Sequence, residues 1–155
     1  MKIRKAKPAD AATIAMFNRN LAWETEKLKL NRSLVGRGVR ALLKDPGKGI
    51  YFVAEQDGQV IGQLMITYEW SDWRNGNIWW IQSVYVASEF RQRRVFRRLF
   101  KHVKKLGRSR RDVCGLRLYV EKNNHRAHRA YERLGMKHTH YEIYETAFRG
   151  RSIES

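Results

Sequence analysis

From Ile78 to Met136 the chain runs apolar strand, arginine-laden turn, basic helix, second apolar strand, Asn-containing turn and a helix that stops at Gly135. No other stretch constrains the fold as strongly, because this order sets a helix N-terminus beside the end of a strand. The amides of a first helical turn have no intrahelical acceptor and carry the positive end of the helix dipole. Such a junction faces an anion, and a diphosphate is a group of the right size and charge.

Two blocks can be quoted. IWWIQSVYVASEFRQRRVFRRLFKHV (Ile78 to Val103) holds the strand, basic turn and helix; LRLYVEKNNHRAHRAYERLGMK (Leu116 to Lys137) holds the next strand and helix, with Asn124, Ala127, Tyr131, Leu134, Gly135 and Met136 in regular spacing. Together they resemble the GCN5-related N-acetyltransferases (GNAT). The second block is close to the family pattern, and the first departs from it. The family's phosphate loop reads Gln or Arg, two variable residues, Gly, one variable residue, then Gly or Ala. Aligned on Arg91, this chain has Arg94 and Phe96 at the two small positions. Small residues there let phosphate approach the backbone closely. Neither substitution removes an N–H, and arginine adds charge-assisted donors.

The resemblance implies an α/β (α+β) fold: a mixed central sheet of six to seven strands flanked by about four helices. It implies acetyl-CoA as co-substrate, a primary amine on a small molecule or peptide as acceptor, and direct transfer with no covalent enzyme intermediate. By position, the main chain of Val84, Tyr85 and Val86 would hold the pantetheine arm as an added strand would. Arg91, Gln92, Arg93, Arg94, Val95, Phe96 and Arg97 would cradle the diphosphate, with Arg91 and Arg93 adding charge toward the 3′-phosphate. Asn124 would bond the coenzyme or cap its own helix. Tyr131, two turns further along roughly the same helical face, would donate a proton to the leaving thiolate. It also fits as an amphipathic core aromatic.

Acceptor residues follow from placement. Glu69, at the end of the third strand, is the candidate general base, and Asp72 in the next turn lies on the same expected side. Glu24, near the end of the first helix, suits a cationic amine or plain solvent exposure. Trp23 and Trp70 are candidate walls of a partly apolar pocket. Alternation along the strand from Ile78 points Trp79 and Trp80 to opposite faces, which places one of them in the core.

A chain of 155 residues, 43% hydrophobic and 12% aromatic, is the size of one globular domain, read as residues 1–147 with a frayed end at 148–155. MKIRKAKPAD lacks the apolar region of a secretion signal, and no stretch nears the roughly 18 apolar residues of a membrane span. The expected location is the cytoplasm, without a membrane partner. A single cysteine, Cys114, excludes an internal disulfide and reads as a small residue buried or half-buried before a strand. The five histidines form no convincing ligand set, so no metal is assigned. The excess of 32 Lys+Arg over 15 Asp+Glu, a formal +17, attracts polyanions broadly. A rival reading therefore keeps the fold as a basic module that grips nucleic acid, although no nucleic-acid-binding signature supports it.

The remaining elements complete the order. Lys2 to Ala6 reads as a strand. A helix follows from Pro8 to about Lys27, with Asp10 near its start, and a second from Ser33, as cap, to Leu43. Ile50 to Glu55 and Gln59 to Glu69 are strands joined by Asp57-Gly58, a hairpin signal. The alternation from His138 to Thr146 predicts a closing strand. With only one closing strand the sheet keeps an open edge, at which two copies of the chain are expected to pair.

Overall fold

The computed structural model describes residues 1–148, 150 and 152–155. It divides into two compact units, Met1–Arg117 with Ile153–Ser155, and Leu118–Ser152.

The first unit is built on a five-stranded sheet in the order β1-β2-β3-β4-β5. Its strands are β1 (Lys2–Lys5), β2 (Ile50–Gln56), β3 (Gln59–Ser71), β4 (Gly76–Val86) and β5 (Val113–Arg117). The first four pair antiparallel and β5 joins β4 in parallel. Asp57 and Gly58 both take positive φ, 52° and 78°, the twist-matched two-residue turn that the Asp-Gly pair predicts.

Three helices cover the two faces: α1 (Ala11–Glu26), α2 (Arg32–Lys44) and α3 (Val95–Arg108). Alternation in β2 sends Tyr51 and Val53 to one side, where they pack with Ile14 and Ala15 of α1 and Val39 of α2. Phe52 turns the other way and meets His102 of α3 with ring centroids 5.3 Å apart. α3 buries Val95, Leu99, Phe100, Val103 and Gly107, the stripe its spacing predicts, and leaves its other side to solvent. Trp79 is buried under α3 near Gly107, whereas Trp80 is half-buried and its Nε1 donates to Glu69 Oε1.

The second unit contains α4 (His125–Arg133), capped by Asn124, whose Oδ1 accepts from the Ala127 amide at 3.1 Å. Gly135, at φ 86°, ends the turn after it.

Several expectations are corrected. The sheet has five strands among the described residues, not six or seven. His138 to Thr146 forms no strand despite its alternation, since alternation yields a strand only where the backbone bonds to a neighbour. The α2 cap is Asn31, whose Oδ1 accepts from the Leu34 amide at 2.9 Å, rather than Ser33. β5 starts three residues before the expected Leu116, which puts Cys114 inside the strand and exposed. Of the segment 148–155, Arg149 and Arg151 lie outside the described residues. Its last residues are tied down: the Asn31 amide donates to the Ile153 carbonyl at 2.8 Å and the Ser155 amide to that of Lys29 at 2.9 Å.

Candidate functional site

β4 is paired with β5 only from Asn77 to Trp80, where Trp80 faces Arg117. Beyond that fork β4 continues for six residues to Val86. Its β3 side is also irregular: Gln63 faces Tyr85 but Met65 faces Gln82, so β4 fits one extra residue between them. This bulge is at Ser83, whose φ of 51° is left-handed. Gln63, fully buried, donates from Nε2 to the Ser83 carbonyl at 3.2 Å and to Asn18 Oδ1 at 2.7 Å, and Asn18 in turn donates to Tyr51 Oη at 3.1 Å. The bulge is thus held by a buried polar chain, and it re-aims the last residues of β4 toward the turn that follows.

That turn passes through one 3₁₀ turn, Ser88–Phe90, and then through two left-handed residues, Gln92 at φ 66° and Arg94 at φ 61°, before α3 begins. The Arg98 amide makes the first intrahelical bond, to the Arg94 carbonyl at 3.0 Å. The first-turn amides ahead of it have no intrahelical acceptor, and left-handed turn geometry together with the helix dipole suits such a junction to an anion. An arginine in the left-handed region costs about 1–2 kcal/mol that glycine avoids. The turn keeps the glycine-like shape nonetheless. Arg94 is exposed, and Phe96 lies half-buried along the helix flank with its ring 6.1 Å from that of Phe100. Both bulky residues keep a backbone N–H.

Arg91 makes three contacts within the protein. Its Nε donates to the Val86 carbonyl at 2.9 Å, its Nη2 to Glu24 Oε2 at 2.6 Å, and its guanidinium lies 5.3 Å over the Tyr85 ring. Tyr85 is buried and donates to the other Glu24 oxygen at 2.8 Å. Loss of solvent and the Glu24 carboxylate together hold its phenol above the ordinary pKa of 10. Glu24, Tyr85 and Arg91 thus form one clamp that ties α1 to the end of β4. The guanidinium of Arg93 stacks 5.2 Å over Phe90. Both arginines are exposed, and both oxygens of Glu24 accept hydrogen bonds.

Glu69 sits at the fork itself. Its Oε2 accepts from Arg117 Nη1 at 2.7 Å and its Oε1 from Trp80 Nε1 at 3.2 Å, so one carboxylate spans β3, β4 and β5. Trp70, exposed, is near the end of β3, and Asp72 and Trp73 lie in the exposed turn beyond it, where Asp72 Oδ1 accepts from the Trp73 amide. Trp23 is 55% exposed and lines a surface hollow of about 570 Å³ with Leu28, Lys29 and Leu30. The structure does not assemble these tryptophans into one wall.

In the second unit Asn124 serves as the α4 cap. Tyr131, seven positions on, is half-buried, and loss of solvent raises its phenol above the ordinary 10. A group so placed stays protonated at neutral pH. Among the described residues no cluster of His, Cys, Asp or Glu could hold a metal ion, and no helix is long and apolar enough to cross a membrane.

Sequence reasoning missed Gln63, Asn18, Ser83 and Arg117. One signal was available: Gln82-Ser83 is the only polar pair in the otherwise apolar IWWIQSVYV.

The profile of the acetyltransferase (GNAT) family matches residues 12–136. A "possible acetyltransferase" from Clostridium difficile 630 is 47% identical and superposes with a TM-score of 0.90, over 95% of this chain and 97% of that one. A "predicted acetyltransferase with acetyl-CoA" from Clostridium acetobutylicum is 16% identical, with a TM-score of 0.76 over 94% of this chain and 95% of that one. A ribosomal-protein-alanine N-acetyltransferase from Brucella melitensis biovar Abortus 2308 is also 16% identical, with a TM-score of 0.76 over 96% and 100%. The last two share the fold alone. No curated protein matches the chain.

Proposed function

Because the chain belongs to the acetyltransferase (GNAT) family, we propose that it transfers an acetyl group from acetyl-CoA to a primary amine by direct attack of the amine on the thioester. The observation that carries this reading is the left-handed turn at Gln92 and Arg94, which leads into α3 from the stretch of β4 that β5 leaves unpaired and would present the first-turn amides to an anion. The first-turn amides would hold the diphosphate, and the main chain of Val84, Tyr85 and Val86 would bond the pantetheine arm on the side where β5 has ended. The bulge at Ser83 sets the direction of that edge, and the Arg91 clamp keeps it from shifting.

Attack by the amine needs a proton removed from nitrogen and one supplied to departing sulfur. Tyr131 is the proposed donor, kept neutral by its raised pKa. Glu69 is the proposed acceptor of the amine proton, by way of water. Trp80 and Arg117 fix its position at the inner end of the fork, and each carboxylate oxygen retains a further lone pair. Cys114 takes no part, since it lies level with the start of β4, about 20 Å along the strand from Val84.

Thiol release from acetyl-CoA, measured across a panel of small amines and peptides, tests the proposal. Release should depend on the amine, and Tyr131→Phe should lower turnover by roughly 10²-fold while acetyl-CoA affinity is unchanged. Undiminished turnover in that variant would remove Tyr131 from the reaction.

A further inference from the structure

We propose that the solvent face of α3 is a binding surface for the phosphate backbone of nucleic acid, a property independent of acetyl transfer. From Arg91 to Arg111, eleven of the 21 residues are Arg or Lys, and none is Asp or Glu. The fold decides where that charge goes. Val95, Leu99, Phe100 and Val103 are buried against the sheet, so Arg97, Lys101, Lys105 and Arg108 are forced to the outside. Their spacing of four, four and three residues lays them along one line on the helix, about 16 Å long with steps near 6 Å.

These four cations have no carboxylate partner among the described residues. The acidic side chains in ion pairs are committed to Arg4, Lys48, Arg91, Arg110 and Arg117. Like charges four apart on a helix cost about 0.2–0.5 kcal/mol a pair, a cost that an intervening Glu or Asp would cancel and that α3 leaves uncancelled. A chain of phosphates cancels it instead. At about 3.4 Å per phosphate along one strand, the line spans roughly five of them, and their condensed counterions are released on contact.

The same geometry disfavours an acidic membrane. Peripheral helices hold bilayers through an exposed apolar face. The apolar face of α3 is already under the sheet, and none of its large hydrophobic residues is exposed.

The test uses the full chain and a fluorescently labelled DNA duplex of about 20 base pairs, with anisotropy read across a salt series. Lys101, Lys105 and Arg108 lie past the first turn of α3, so their triple change to Gln spares the acetyl-CoA site. Arg37, Arg40 and Lys44, exposed on α2, give a control triple of equal net charge. The wild-type log Kd should rise with log salt at a slope of about 3 to 4, and the α3 triple should lose about 2.7 of that, from 0.9 per lost contact. The control triple should keep it, and Lys105→Gln alone should lose about 0.9. Equal losses in the two triples would mean that net charge alone acts and would overturn the proposal. So would absence of duplex binding, or preference for phosphatidylserine vesicles over the duplex.

Discussion

Arg94 holds a φ of 61° at a position where the family loop carries glycine, so the backbone keeps a shape its side chain disfavours. The sequence showed the substitution and could not show the shape, because φ at one turn residue is set by what the turn joins. Asp10 carries a similar lesson. The sequence marks it only as a charge near a helix start, and the structure buries it to 8% exposure, with Arg4 donating at 2.7 and 3.1 Å and the Lys7 amide at 2.6 Å. The Arg4 guanidinium, before any other cause, pulls its carboxyl below the ordinary value. A carboxyl lowered in the folded state stabilises above its unfolded pKa of about 3.9, and this stabilisation is lost as pH falls below that. Asp10→Asn should cost about 2 kcal/mol at pH 7 by denaturant titration, with a smaller further loss than wild type between pH 5 and 3. An equal cost at both pH values would show that charge is not what Asp10 contributes.

At the scale of elements, α3 is the part whose position decides the site. Its start is seated by Val95 on Gly62 of β3: a Cβ added there would meet Val95 Cγ1 at 3.0 Å and the Tyr85 carbonyl at 3.2 Å. Gly62→Ala must push the first turn outward by a few tenths of an ångström. The expected result is a loss of about 1–2 kcal/mol in stability and a roughly tenfold weaker hold on acetyl-CoA, read by calorimetry on the folded variant. Unchanged affinity would mean that the first-turn amides do not grip the cofactor. The sequence made the strand around Gly62 legible through its apolar neighbours and gave no reason for the glycine, which lies in a contact across 33 residues of chain. Long-range contact likewise explains two other misses. The Ser83 bulge depends on Gln63 from a neighbouring strand, and the alternation of His138 to Thr146 promised a strand for which a partner was needed.

For the whole molecule, the order of elements from β1 to α4 was legible because helical and strand periodicities differ and turns are marked by Asp57-Gly58 and Asn124. The closing of the sheet was not. β5 has no partner strand on its outer side among the described residues, and the stretch after α4 exposes Tyr141 at 62% and Ile143 at 64%. An open ladder and an unused alternating segment in one chain favour pairing with a second copy. Sedimentation equilibrium should give twice 18.4 kDa at micromolar concentration, and a monomer there would contradict this. The proposed function rests on an anion being held by the first-turn amides of α3. Isothermal titration of the purified chain with acetyl-CoA measures it directly: one site per chain is predicted, weakened by removal of the cofactor's phosphates and retained in Tyr131→Phe. A flat titration at millimolar acetyl-CoA would contradict it.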